Sequence, residues 1–128
     1  MKAFRISLLL ALLFSPITAL AQERSAADRE FQSWKDHIAL TIHRSFEKYL
    51  RNVTGLPRAN AVVEITVKPN GEIVGTRMYK PSGIDKLDRA TQLIVMSAGP
   101  FRPAPASRQR SGPTKFTVPI AYNDNPWR

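Results

Sequence analysis

Apolar and polar positions alternate along this chain in two rhythms. From about Ala26 to Leu50, the residues Phe31, Trp34, Ile38, Ile42, Phe46, Tyr49 and Leu50 recur at steps of three and four. Such steps stack side chains on one face of a helix. Lys35, Asp36, Arg44, Glu47, Lys48 and Arg51 mostly fall elsewhere, and Leu40 sits off the stripe. Thr54-Gly55-Leu56-Pro57 ends the helix, because glycine and proline continue helices poorly. The rhythm then drops to two. In Ala61 to Lys68, Val63, Ile65 and Val67 share one face, and Glu64, Thr66 and Lys68 share the other. That is the pattern of a half-buried strand. Pro69-Asn70-Gly71 supplies a turn, with Pro69 presetting its own φ and Gly71 free to take positive φ. Ile73 to Lys80 returns as a second strand, so Val63–Tyr79 reads as a β-hairpin.

Pro81-Ser82-Gly83 breaks the alternation. A second helix starts at Ser82 or at Ile84-Asp85 and runs to about Ala98, with Leu87, Ala90, Ile94 and Ala98 at its buried spacing and Thr91 and Val95 beside them. Gly99-Pro100 stops it. Phe101 to Pro105 is extended, since each proline restricts the residue before it. Ala106 to Pro113 is a polar, basic loop. In Thr114 to Tyr122, Phe116, Val118, Ile120 and Tyr122 alternate with Lys115, Thr117 and Ala121, giving a third strand.

The order α-β-β-α-β predicts an α+β fold: a three-stranded antiparallel sheet of order 2-1-3 with two helices on one face. The third strand lies at an edge. Pro119 supports this, because a proline inside a central strand would remove a ladder hydrogen bond.

The N-terminus changes the picture. Met1 to Arg5 carries two positive charges, Ile6 to Phe14 is apolar, and Ala19-Leu20-Ala21 has the small-x-small form of a signal-peptidase site. The expectation is a signal peptide over 1–21, cut between Ala21 and Gln22. The apolar run is short for a bilayer, which needs ~20 residues. Retention of the run as an inner-membrane anchor is the alternative. Residues 22–30 then read as a loose segment or frayed helix start, 31–123 as the domain and 124–128 as a frayed tail. The expected product is exported, with no stable membrane span after cleavage.

The composition excludes more than it selects. With no cysteine among 128 residues, there is no disulfide framework and no thiol nucleophile. The net charge of +9 suits an anionic neighbour, whether membrane, nucleic acid or acidic protein. His37 and His43 are six apart on one helix and point in different directions, which argues against a metal pair. Asp85 and Asp88 complement the positive end of the second helix. No serine sits in a nucleophile elbow, and no glycine loop cradles phosphate. No enzyme, metal or cofactor is expected. A nucleic-acid platform wants aromatics interleaved with charge on an open sheet face; here the aromatics fall on core positions. Arg102, Arg108 and Arg110 form a basic stretch that reads as a solvated loop or an electrostatic docking patch. The third strand offers an open edge, to which an extended peptide can add. A small ligand-binding or enzymatic α+β domain would instead require a deep polar pocket.

Taken in order, the PNG hairpin, Ser82-Gly83 followed by Leu87-Asp88-Arg89-Ala90, the exit Ala98-Gly99-Pro100-Phe101-x-Pro103, and Phe116-x-Val118-Pro119-Ile120 resemble the C-terminal domain of TonB and TolA proteins over about residues 34–122. Phe46-x-x-Tyr49 at the end of the first helix looks closer to TolA. The resemblance implies a periplasmic module of energy-transducing systems. Such a module binds an outer-membrane receptor or a periplasmic Tol-type component by strand addition. It places the partner edge at Thr114, Lys115, Phe116, Thr117, Val118, Ile120 and Tyr122, with Arg108 and Arg110 nearby; a homodimer through edge strands is a further expectation. Full transducers carry a transmembrane anchor and a long linker. Only about ten residues separate the signal peptide from the first helix here, which points to partner binding without force transmission. A short anchored subunit of such a complex is the alternative.

Overall fold

The computed structural model describes residues 3–123, with side chains from 19 onward. Helix α1 spans Ala3–Leu50, strand β1 Ala59–Val67, strand β2 Ile73–Lys80, helix α2 Asp85–Ala98 and strand β3 Thr114–Tyr122, with a 3-10 turn at Ala106–Arg108 before β3. The sheet is antiparallel throughout, in the order β2-β1-β3. Fold class, strand order and the edge position of β3 are as the sequence predicts.

Two boundaries move. β1 begins at Ala59, two residues before the apolar alternation, because Ala59 and Asn60 already pair with Tyr122 and Ala121. Helical backbone also runs through Gln22–Glu30, ahead of the predicted start near Ala26. The segment QERSAADRE holds no glycine or proline to break a helix, and most of its side chains are exposed. It carries no stripe that periodicity would register. The expected tail 124–128 lies outside the described residues.

One face of the sheet carries the core. Trp34, Ile38, Ile42 and Phe46 of α1 pack with Leu87, Thr91, Ile94 and Val95 of α2 over Val63, Ile65 and Val67 of β1 and Val118, Ile120 and Tyr122 of β3. Burying each such aliphatic or aromatic side chain is worth ~1.5–3 kcal/mol, so α1 is held by its stripe rather than by intrinsic propensity. Tyr49 is a correction. It is 52% exposed, while Leu50, the next residue, packs against the core and continues the four-residue step from Ile42 and Phe46.

The hairpin turn is a fastening point. Within it, Lys68 N–H donates to Glu72 O and Gly71 N–H to Lys68 O, at 2.8 and 2.9 Å. The chain leaving α2 then docks onto the turn. Phe101 N–H donates to Gly71 O and Ala104 N–H to Pro69 O, both at 2.8 Å. Gln109 Nε2 donates to Ala104 O at 2.6 Å and to Pro69 O at 3.2 Å. Phe101 and Ala104 are thereby driven into the core.

Tyr122 closes the opposite end. Its hydroxyl shares a hydrogen bond with the Thr91 hydroxyl, and Thr91 Oγ1 also donates to Leu87 O at 2.7 Å. Burial raises the Tyr122 pKa above its ordinary value; the Asp88 carboxylate adds to the rise and the Thr91 bond partly opposes it. The unfolded chain therefore loses this proton first. The stabilisation is complete below the ordinary tyrosine pKa and falls as pH climbs from there through the higher folded value. Urea unfolding is expected to show stability dropping above pH ~10, with part of that slope absent in Tyr122→Phe. The same variant should lose about 1 kcal/mol at neutral pH. An unchanged alkaline slope in the variant would exclude Tyr122 as its source.

Candidate partner-binding edge

The sheet has two edges, and they differ. β2 pairs with β1 through two register shifts: Val67 faces Ile73 while Thr66 faces Gly75, and Val63 faces Met78 while Val62 faces Lys80. Val74 and Tyr79 are thus extra residues, and both are exposed. Bulges twist a strand and interrupt its rim, which blunts an edge against further pairing. β3 pairs with β1 over nine consecutive positions, Ala59↔Tyr122 to Val67↔Thr114, with no shift. Its rim is the regular one.

The direction of its backbone groups follows from the hairpin. Lys68 turns both N–H and C=O toward the β2 side. By alternation along β1, the backbone groups of Thr66, Glu64 and Val62 then face β2, and those of Val67, Ile65, Val63 and Ala61 face β3. On β3, Thr114, Phe116, Val118, Ile120 and Tyr122 therefore bond inward. Lys115, Thr117, Pro119 and Ala121 point their backbone groups to the open edge. Pro119, which has no N–H, stands where its missing donor leaves no gap in the sheet.

This sorts the residues expected from the sequence. Lys115 and Thr117 lie on the rim with exposed side chains. Thr114 and Phe116 are half-buried neighbours. Val118, Ile120 and Tyr122 are buried; their backbone faces β1 and their side chains face the helices, so an edge partner meets neither. Pro119 and Ala121, which sequence reasoning left out, are on the rim. Their signal was the parity of the strand combined with the proline. Ala21 and Gln22 lie exposed in α1, far along the chain from this edge.

The basic loop is fixed rather than loose. The Arg108 guanidinium lies 3.9 Å from the centre of the Phe31 ring, Lys35 Nζ lies 4.8 Å from the same ring, and Phe31 stacks on Trp34 at 5.9 Å. Trp34 Nε1 donates to Arg102 O at 2.9 Å. These contacts clamp residues 102–108 to α1. At the Tyr122 end of β3, an open groove of about 820 Å³ runs between the end of α1 and Ile120–Asn123. Its walls include His43, Phe46, Leu50, Leu56 and Tyr122. Among the described residues no group of three His, Asp or Glu side chains gathers as a metal site, and no helix is long and apolar enough to cross a membrane.

The family model described as TonB C terminal matches residues 31–120. The protein TonB of Pasteurella multocida (strain Pm70) is 34% identical over 85 residues, covering 63% of this chain and 32% of that protein. The chain thus spans about a third of the length of that relative. The solution structure of the Helicobacter pylori TonB C-terminal domain (residues 179–285) superposes with a TM-score of 0.51 at 21% identity, over 70% of this chain and 79% of that one. The HasB C-terminal domain aligns at a TM-score of 0.48 and 24% identity, over 70% of this chain and 68% of its own.

Proposed function

Because the chain belongs to the TonB C-terminal family, we propose that it is a periplasmic protein-binding module that captures a short segment of an envelope protein as an added strand on β3. The observation that carries this reading is the unshifted nine-pair β1–β3 ladder, whose outer rim presents N–H groups at Lys115, Thr117 and Ala121 beside a β2 edge broken by two bulges. Main-chain bonds on such a rim give affinity, and alternate side chains give selectivity. The bulges also favour β3 over β2 as the seam of any homodimer. The partner class is an outer-membrane receptor or a periplasmic envelope component. We place export cleavage between Ala21 and Gln22, leaving 31–123 as the binding domain. The role is binding rather than catalysis.

Thr117→Pro tests this cleanly. The Thr117 N–H faces outward, so proline there removes a rim donor without removing a bond to β1. Capture of envelope partners, read by photo-crosslinking from position 115 in cells, is expected to fall about tenfold while the circular dichroism of the variant stays native. Val118→Glu is no substitute, because Val118 is fully buried and a carboxylate there would unfold the domain. Undiminished capture by folded Thr117→Pro would overturn the edge reading. Intact mass of the same exported protein should start at Gln22; retention of 1–21 would instead make it an anchored subunit.

A further inference from the structure

The β1–β3 ladder stops for a physical reason. Continuing its register past Ala59↔Tyr122 would set Asp124 opposite Pro57 as the next hydrogen-bonded pair, and proline has no N–H to give. The chain bends instead. Asn123 takes φ 53°, a left-handed value that asparagine tolerates better than most residues. Its Nδ2 donates to Leu56 O at 2.9 Å. Asn123 is thereby tied to the connection between α1 and β1, across the groove of about 820 Å³ that both residues line.

The groove joins apolar surface to charge. Leu50, Val53 and Leu56 line it beside Phe46 and Tyr122, and Val53 is 41% exposed. His43, Glu47 and Arg51 follow at four-residue steps along its α1 side. Among the described residues, no ion pair engages Glu47 or Arg51.

Residues 124–128, outside the described residues, read Asp-Asn-Pro-Trp-Arg. This segment brings what the groove lacks. A tryptophan buries ~150–250 Å² when it docks. Trp127 is four residues beyond Asn123, so its Cα is at most ~14 Å away, and the groove lies within that reach. Pro126 restricts its own φ and the backbone of the residue before it, which lowers the entropy that docking costs. Asp124 and Arg128 carry the charges opposite to those of Arg51 and Glu47. We propose that the groove is the docking site of this chain's own segment 124–128, with the Trp127 indole lying against Leu50, Val53 and Leu56. A tethered indole has an effective concentration of about millimolar, which a free partner or a second copy at ordinary protein concentration does not match. Ala121 lines the same groove and also stands on the rim, so the docked segment covers the Tyr122 end of β3.

Fluorescence of the full chain tests this. The chain has two tryptophans, and Trp34 is 2% exposed, so the emission lost in Trp127→Phe reports Trp127. Acrylamide is expected to quench that component about fivefold less than a free indole, equally at low and high protein concentration. Val53→Asp, at an exposed position, should restore free quenching while the circular dichroism stays native. Amide shifts between the unsubstituted chain and Trp127→Ala should cluster at Leu50–Leu56 and Ile120–Asn123 and leave β2 unmoved. Free quenching in the unsubstituted chain would overturn the proposal. So would protection that Val53→Asp leaves intact, which puts the indole elsewhere, or protection lost on dilution, which gives the groove to a second copy. None of these outcomes touches the edge reading, since capture at Lys115 and Thr117 does not use the groove.

Discussion

Gly71→Ala is expected to destabilise the domain by about 3 kcal/mol or more, one of the two largest effects expected of a single substitution. Gly71 has φ near 91°, a conformation that L side chains rarely adopt and that glycine takes freely. A Cβ at this position would also overlap the Phe101 carbonyl, with Arg102 O at 3.1 Å beyond it. Neither obstacle is the far end of a flexible side chain; both are backbone. Relief therefore requires separating the turn from the segment after α2. That breaks the Phe101 N–H to Gly71 O bond and the neighbouring Ala104 to Pro69 bond and draws Phe101 out of the core. Gly75→Ala is the control, since nothing lies within 4 Å of the added methyl there. Urea midpoints should separate the two variants widely. A Gly71→Ala loss no larger than that of Gly75→Ala would show that the turn does not hold the 101–104 segment.

The Val63–Tyr79 hairpin shows where sequence reasoning reaches and where it stops. Its strands were legible because one face is buried, and period-two alternation is then obligatory at Val63, Ile65 and Val67. The turn was legible because Pro69-Asn70-Gly71 has few other uses. The bulges at Val74 and Tyr79 were not legible, because an extra residue changes pairing across strands while leaving each strand's own alternation almost intact. Tyr49 read as core because it obeys the helical step, yet it is Leu50 that packs inward at this end of α1. The Thr91–Tyr122 hydroxyl pair and the Gly71–Phe101 contact join residues distant along the chain and leave no local trace. In the candidate site, the edge itself followed from topology and Pro119. Which of its residues face outward did not, since that needs the parity fixed by Lys68 in the hairpin. The result is that Val118, Ile120 and Tyr122 are buried while Pro119 and Ala121 share the exposed rim with Lys115 and Thr117.

Trp34→Ala is the second large effect, expected to lose about 3–5 kcal/mol. Trp34 is 2% exposed, and its removal opens a cavity beneath α1 that the helix cannot collapse to fill while Ile38 and Ile42 hold it in place. The indole does more than fill space. Its Nε1–H holds the Arg102 carbonyl, and its ring backs Phe31, on which Arg108 rests. Trp34→Phe separates the two roles. It keeps most of the apolar volume and deletes the donor, so its stability loss should be about 1–2 kcal/mol. In both variants, amide exchange should quicken across Arg102–Arg110 more than across β1. Loosening this loop removes the fixed placement of Arg108 on Phe31. A Trp34→Phe protein with unchanged loop exchange would mean that the arginines are held by Phe31 and Gln109 without the indole's help.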